Sequence, residues 1–263
     1  MSEEGARQNK KSIHRILWLF LYFLCLYLAA NLFPFSWILE DPTAMLACQF
    51  GIKTILLGYF IFECARKPNR TLLSFKHLGV SSLLWAPLVV LCFSNLFYSL
   101  AFSGSFVAPS NGVYVALLFF DDLVVAIIEE VLFRGLLFLY FVQLFPNKKR
   151  GDIYALLFSS VAFSLLHLIN IFSSDPLTVL LQMGYSLVLG ILLCLVYLGS
   201  QNMVLPILGH FLFNAINDTL SSSFLCFHTE TTYVLWSVGF ALIGLLYAIG
   251  VTIVMTKRNN RVS

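Results

Sequence analysis

Residues 113–145 read VYVALLFFDDLVVAIIEEVLFRGLLFLYFVQLF. A helix needs about 20 mostly apolar residues to cross the hydrocarbon core of a bilayer. This run exceeds that length, so as a span it must tilt or break. It also carries Asp121, Asp122, Glu129, Glu130 and Arg134 in its interior. An acid or Arg at the centre of a membrane helix costs roughly 2.5–3.5 kcal/mol. The stretch is therefore either a poor membrane helix or the polar heart of a membrane protein, and the rest of the chain decides between them.

The chain has 263 residues, 59% hydrophobic and only 11% charged, with mean hydropathy +0.87. A soluble domain carries about 25% charged residues. A soluble globular enzyme and a nucleic-acid binder are excluded. The six Cys lie singly, and five of them (Cys25, Cys48, Cys64, Cys92 and Cys194) sit in apolar runs as small hydrophobes. No CxxC pair or metal-finger spacing is present, which excludes a disulfide scaffold.

Outward from 113–145, seven further apolar stretches qualify as spans: 16–33, 44–64, 80–102, 154–172, 177–199, 203–217 and 231–255. The first is longer than a signal-peptide core and reads as a retained span. The 203–217 stretch is short and begins near Pro206, so an angled or re-entrant start is expected. Basic residues orient the set. Arg7, Lys10, Lys11 and Arg15 precede the first span; Arg66, Lys67, Arg70 and Lys76 lie between the second and third; Lys148, Lys149 and Arg150 follow the fourth; Lys257, Arg258 and Arg261 follow the eighth. An eight-span count puts all of these on one side, and the opposite loops hold only Glu40, Asp41, Asp175 and Glu230. The positive-inside rule then makes both termini cytoplasmic. The expectation is an all-α, polytopic membrane helix bundle of about eight transmembrane helices, built as one domain.

Two basic residues, Lys53 and Arg134, remain inside spans. Lys53 is expected to snorkel or to pair with an acid of another span. Arg134 is four residues after Glu130, on the same helix face, and the two should pair. Glu129 is rotated about 100° away and has no basic partner at helical spacing. Asp121 and Asp122 read as acids near the outer helix end, the alternative being that they line a water path or gate, and Asn217 and Asp218 read as the polar outer end of the seventh span. In later spans His167 follows Phe163 by one turn, and His210 and Asn214 share a face. A free Glu, a Glu–Arg pair, two His and an Asn on three helices form the inventory of a hydrolytic site: a base, its support, and donors for an oxyanion.

These three segments resemble the signatures of the CPBP intramembrane protease family, which includes CAAX prenyl endopeptidases and bacterial homologues linked to bacteriocin immunity. Glu129-Glu130 with Arg134, Phe163 with His167, and His210 with Asn214 match in order. The resemblance covers about 113–220. It divides the chain into N-terminal transmembrane helices 1–3 over 1–112, a protease core over 113–220, and a C-terminal helix and tail over 221–263. It implies an intramembrane endopeptidase of the cell membrane acting on membrane-associated peptides or proteins, prenylated or bacteriocin-related. Glu129 with His167 would activate water, Glu130 and Arg134 would hold the site, and His210 and Asn214 would stabilise the oxyanion. A metal-free mechanism is preferred, because a Glu used as a metal ligand is lost as a base. The alternative is one Zn2+ on Glu129, His167 and His210. The rival from another class is a non-catalytic membrane binding or bacteriocin-immunity protein. A proton-coupled transporter would show an inverted repeat, and none is seen.

Overall fold

A computed structural model of the chain describes residues 3–65, 88–94, 111–145, 148–220 and 230–262. These residues are helical with short links, and no strand occurs among them. The helices are α1 (Glu3–Leu32), α2 (Pro42–Ala65), α3 (Gly112–Glu130), α4 (Phe138–Leu144), α5 (Lys148–Leu166), α6 (Pro176–Ser200), α7 (Val204–Asn214) and α8 (Glu230–Val262).

Among the described residues, five helical stretches are long and apolar enough to cross a membrane: His14–Trp37, Pro42–Phe62, Gly151–Phe172, Pro176–Ser200 and Thr231–Ile253. Trp18, Ile55, Leu180 and Leu246 are each more than half exposed on these helices. In water such side chains would collapse together; around an apolar bundle they form the face that meets lipid. The chain is an all-α helical bundle and an integral membrane protein. The expected span at 80–102 lies mostly outside the described residues. The 203–217 stretch forms a short apolar helix. Its Pro206 sits in the first turn of α7, where a missing N–H breaks no helical bond.

The 113–145 run neither ends nor breaks in its middle. Asn111 caps α3, its side-chain oxygen accepting from the N–H groups of Val113 and Tyr114 at 3.1 Å each. The helix then passes through a π-helical segment, Val131–Leu137, and continues as α4. The N–H of Phe138 donates to the carbonyl of Phe133, five residues back, as π geometry requires. All seven residues of that segment are buried.

Around this axis α1 packs on the π segment, α2 and α7 pack on α3, and α5 and α8 flank α6. Small residues set the approach of α5 and α6. A Cβ added to Gly190 would lie 3.2 Å from Ser160 Cβ and 3.3 Å from Phe163 Cδ1. Such contacts let helix backbones approach closely where lipid supplies no hydrophobic drive. Asp175 caps α6 by accepting from Thr178 N–H at 2.9 Å and from the Thr178 hydroxyl, which holds its exposed carboxyl below the usual range. At the other end Gln201 takes the left-handed conformation, φ 52°, and turns the chain into α7.

Candidate active site

Glu129 and Glu130 close α3 as the backbone enters its π turn. Both side chains are buried, Glu130 completely. Arg134 Nη1 donates to Glu130 Oε1 at 2.6 Å, realising the four-residue pairing expected from the sequence. Arg134 Nη2 reaches another helix, donating to the Gly190 carbonyl at 3.2 Å. The guanidinium also lies over the ring of Phe163, 4.5 Å from its centroid.

Phe163 is a shared platform. His167 and His210 stand edge-on to it, with centroids 5.2 and 5.4 Å away. The ring is completely buried between α5, the π segment and α7. One aromatic residue thus sets the places of a guanidinium and two imidazoles.

His210 joins the two glutamates. Its Nδ1 is 2.9 Å from Glu130 Oε1. An ionised carboxylate only accepts, so beside Arg134 the proton of that bond belongs to Nδ1. Nε2 then faces Glu129, 3.7 Å from Oε2. That distance is too long for a hydrogen bond but short enough for a proton to pass after a small movement. The depth mismatch that straight spans imply between His210 and Glu129 is absent, because the short α7 packs directly on α3.

His167 keeps Nδ1 on the Phe163 carbonyl, 3.1 Å away. His210 is the imidazole that stands 3.7 Å from Glu129. Glu129, His167, His210 and Asn214 all line one cavity of about 300 Å³, with Glu130 and Arg134 packed outside that lining. Asn31, Asn170, Gln182 and Asn217 line it as well, making it polar within an apolar bundle.

Two polar groups differ from the sequence expectation. Asp121 and Asp122 are not acids of an outer helix end: both are buried and line the cavity. The helix begins where the sequence run does, and Asp121 lies about two and a half turns inside it; what decides its burial is that it meets Lys53 of the packed α2 instead of an exposed helix end. Lys53 of α2 pairs with Asp121 Oδ2 at 2.8 Å, the cross-span pairing that its burial demands. Asn217 likewise turns to the cavity, with Nδ2 donating to the Phe213 carbonyl at 2.6 Å.

Sequence reasoning missed Tyr27. Its hydroxyl donates to Glu129 Oε1 at 2.6 Å from near the C-terminal end of α1. The one local signal is Asn31, four residues on, whose Nδ2 donates to the Tyr27 carbonyl at 2.8 Å. Two polar tips on one face of an apolar span mark a face turned inward.

Glu129 Oε1, His210 Nδ1 and His167 Nδ1 each have a protein partner, so a Zn2+ on this set would have to use Glu129 Oε2 and the two Nε2 atoms. Among the described residues no group of three or more His, Cys, Asp or Glu is arranged to hold a metal ion.

An all-α membrane bundle with a carboxylate, two imidazoles and an amide around one internal cavity has the make-up of an intramembrane hydrolase. Residues 109–216 match the Rce1-like family, described as type II CAAX prenyl endopeptidase Rce1-like. That segment holds all three motifs, and the match agrees with a CPBP family protease of the CAAX type. No curated protein matches the chain.

Proposed function

We propose that this protein hydrolyses peptide bonds of membrane-associated, prenylated substrates, from a cell membrane in which both its termini face the cytoplasm. The observation that carries the reading is Glu129 facing His210 across 3.7 Å at the wall of a polar cavity, inside the segment that matches the family. Glu129 takes a proton from water as the water oxygen bonds to the substrate carbonyl carbon. His167, across the same cavity, helps to place that water. Asn214 faces the oxygen that gains charge. The proton taken from water passes from Glu129 to His210 Nε2, so that His210 also donates to that oxygen. It is then returned to the leaving amine nitrogen as the C–N bond breaks. Arg134 pairs with Glu130, and Glu130 fixes the orientation of His210. The reading involves no metal, because a Glu129 carboxylate used as a metal ligand is lost as a base.

The test is hydrolysis of a peptide with a prenylated CAAX end by purified protein in lipid. Glu129→Gln preserves size and should lower the rate by about 10²–10⁴-fold, the usual worth of general-base assistance. A strong chelator should leave the wild-type rate unchanged. Hydrolysis by Glu129→Gln at the wild-type rate overturns the assignment. A binding-only protein would show no hydrolysis and would keep its cellular phenotype in that variant.

A further inference from the structure

Residues 109–216 match the family, yet Glu129 takes its 2.6 Å hydrogen bond from outside them, from Tyr27 on α1. We propose that Tyr27 is a positioning residue that holds the Glu129 carboxylate in one orientation; this rests on the reading of Glu129 as the base.

A glutamate has three side-chain torsions, and the last is broad, so its two oxygens exchange places easily. Tyr27 removes that freedom. Its ring is 5% exposed and packed in the same apolar cluster as Phe23, Phe60 and the π segment. The aromatic side chain has few torsions and one hydroxyl proton to give. With Oε1 tied to Tyr27, Oε2 is the oxygen left facing His210 Nε2. The base is thereby offered to the cavity through one oxygen, on the side where His210 stands.

A passive role, in which Tyr27 merely satisfies a buried acid, fits less well. Glu129 lines the cavity, so water could hydrate it without help from a phenol. The contact spans 102 positions of sequence and exists only because α1 packs on the π segment. The first helix therefore belongs to the active site rather than to an attached anchor.

The experiment compares Tyr27→Phe with wild type on the prenylated peptide, beside Glu129→Gln. Tyr27→Phe should lower kcat about 10- to 100-fold, the range corresponding to loss of a hydrogen bond to a charged group. KM should stay within about twofold, since on this proposal the hydroxyl touches Glu129 and not the substrate. Tyr27→His retains a ring donor and should recover part of the lost kcat. An unchanged kcat in Tyr27→Phe, a loss that merely tracks the folded fraction, or no recovery in Tyr27→His overturns the proposal. An activity-independent measurement separates this from the functional reading. The Glu129 carboxylate band, isolated by infrared subtraction of Glu129→Gln, should shift in Tyr27→Phe. A shifted band in a protein that hydrolyses nothing keeps the contact and removes the protease reading. An unshifted band in an active protein does the reverse.

Discussion

Arg134 Nη2 donates to the backbone carbonyl of Gly190, 3.2 Å away on α6. That carbonyl is reachable because residue 190 has no side chain between α6 and α5. The same guanidinium holds Glu130 at 2.6 Å, so one cation ties the glutamate-bearing helix to its neighbour.

Arg134→Ala removes both contacts and leaves Glu130 fully buried without its cation. Breaking a buried pair in this way costs about 3–5 kcal/mol. Folded yield and thermal midpoint in detergent should both fall sharply. Arg134→Lys should fall between the two, because an ammonium cannot present the planar fork that serves Glu130 and Gly190 together. A normal midpoint in Arg134→Ala would refute the structural role.

Gly190→Val places its Cβ about where Ser160 and Phe163 already stand, at 3.2 and 3.3 Å, and adds two methyl groups beyond it. Overpacking of this kind costs about 1–3 kcal/mol. The hydrolytic rate should fall further than stability implies, since the carbonyl held by Arg134 moves. A variant with wild-type rate and midpoint would show that the two helices have slack here.

Phe163→Leu keeps an apolar residue but removes the ring that carries Arg134 and both imidazoles. Losing cation–π and edge contacts is worth about 0.5–2 kcal/mol in stability. The expected signature is a modest shift in midpoint with a larger loss of kcat, because His167 and His210 lose their shared seat. Equal kcat in Phe163→Leu and wild type would remove the platform role.

Lys53→Met strands Asp121, whose Oδ2 is paired with Lys53 and whose Oδ1 has no other partner. The single change should destabilise by about 3–5 kcal/mol. Adding Asp121→Leu should restore much of the loss, since an apolar pair replaces an ionic one. Measured as a double-mutant cycle, the coupling should be well outside additive error. An additive result would mean that the two groups do not meet in the membrane.

Composition decided the membrane class before any residue was placed. The Glu130–Arg134 pair was legible because both partners lie on one helix, where spacing dictates contact. Tyr27 was not legible: no periodicity relates the rotation of α1 to that of α3. Asp121 and Asp122 were misplaced because apolar runs show roughly where a helix crosses lipid, not which face turns inward. The convergence of His210 on Glu129 was expected from the chemistry of the three motifs, but the contact of His210 Nδ1 with Glu130 was not, because spacing along separate helices does not fix which atoms meet.

The π turn at Val131–Leu137 makes chain length itself a determinant of the site. Each residue sweeps less angle there than in an α turn, because its hydrogen bonds close over five residues rather than four. The segment therefore holds a surplus residue, swallowed without a loop. Deleting one position between 131 and 137 would let the backbone relax into continuous α-helix. The helix beyond would keep its heading, because the surplus residue adds almost no net rotation. A deletion between Glu130 and Arg134, however, would shorten their spacing from four residues to three and re-aim the guanidinium that serves both Glu130 and Gly190.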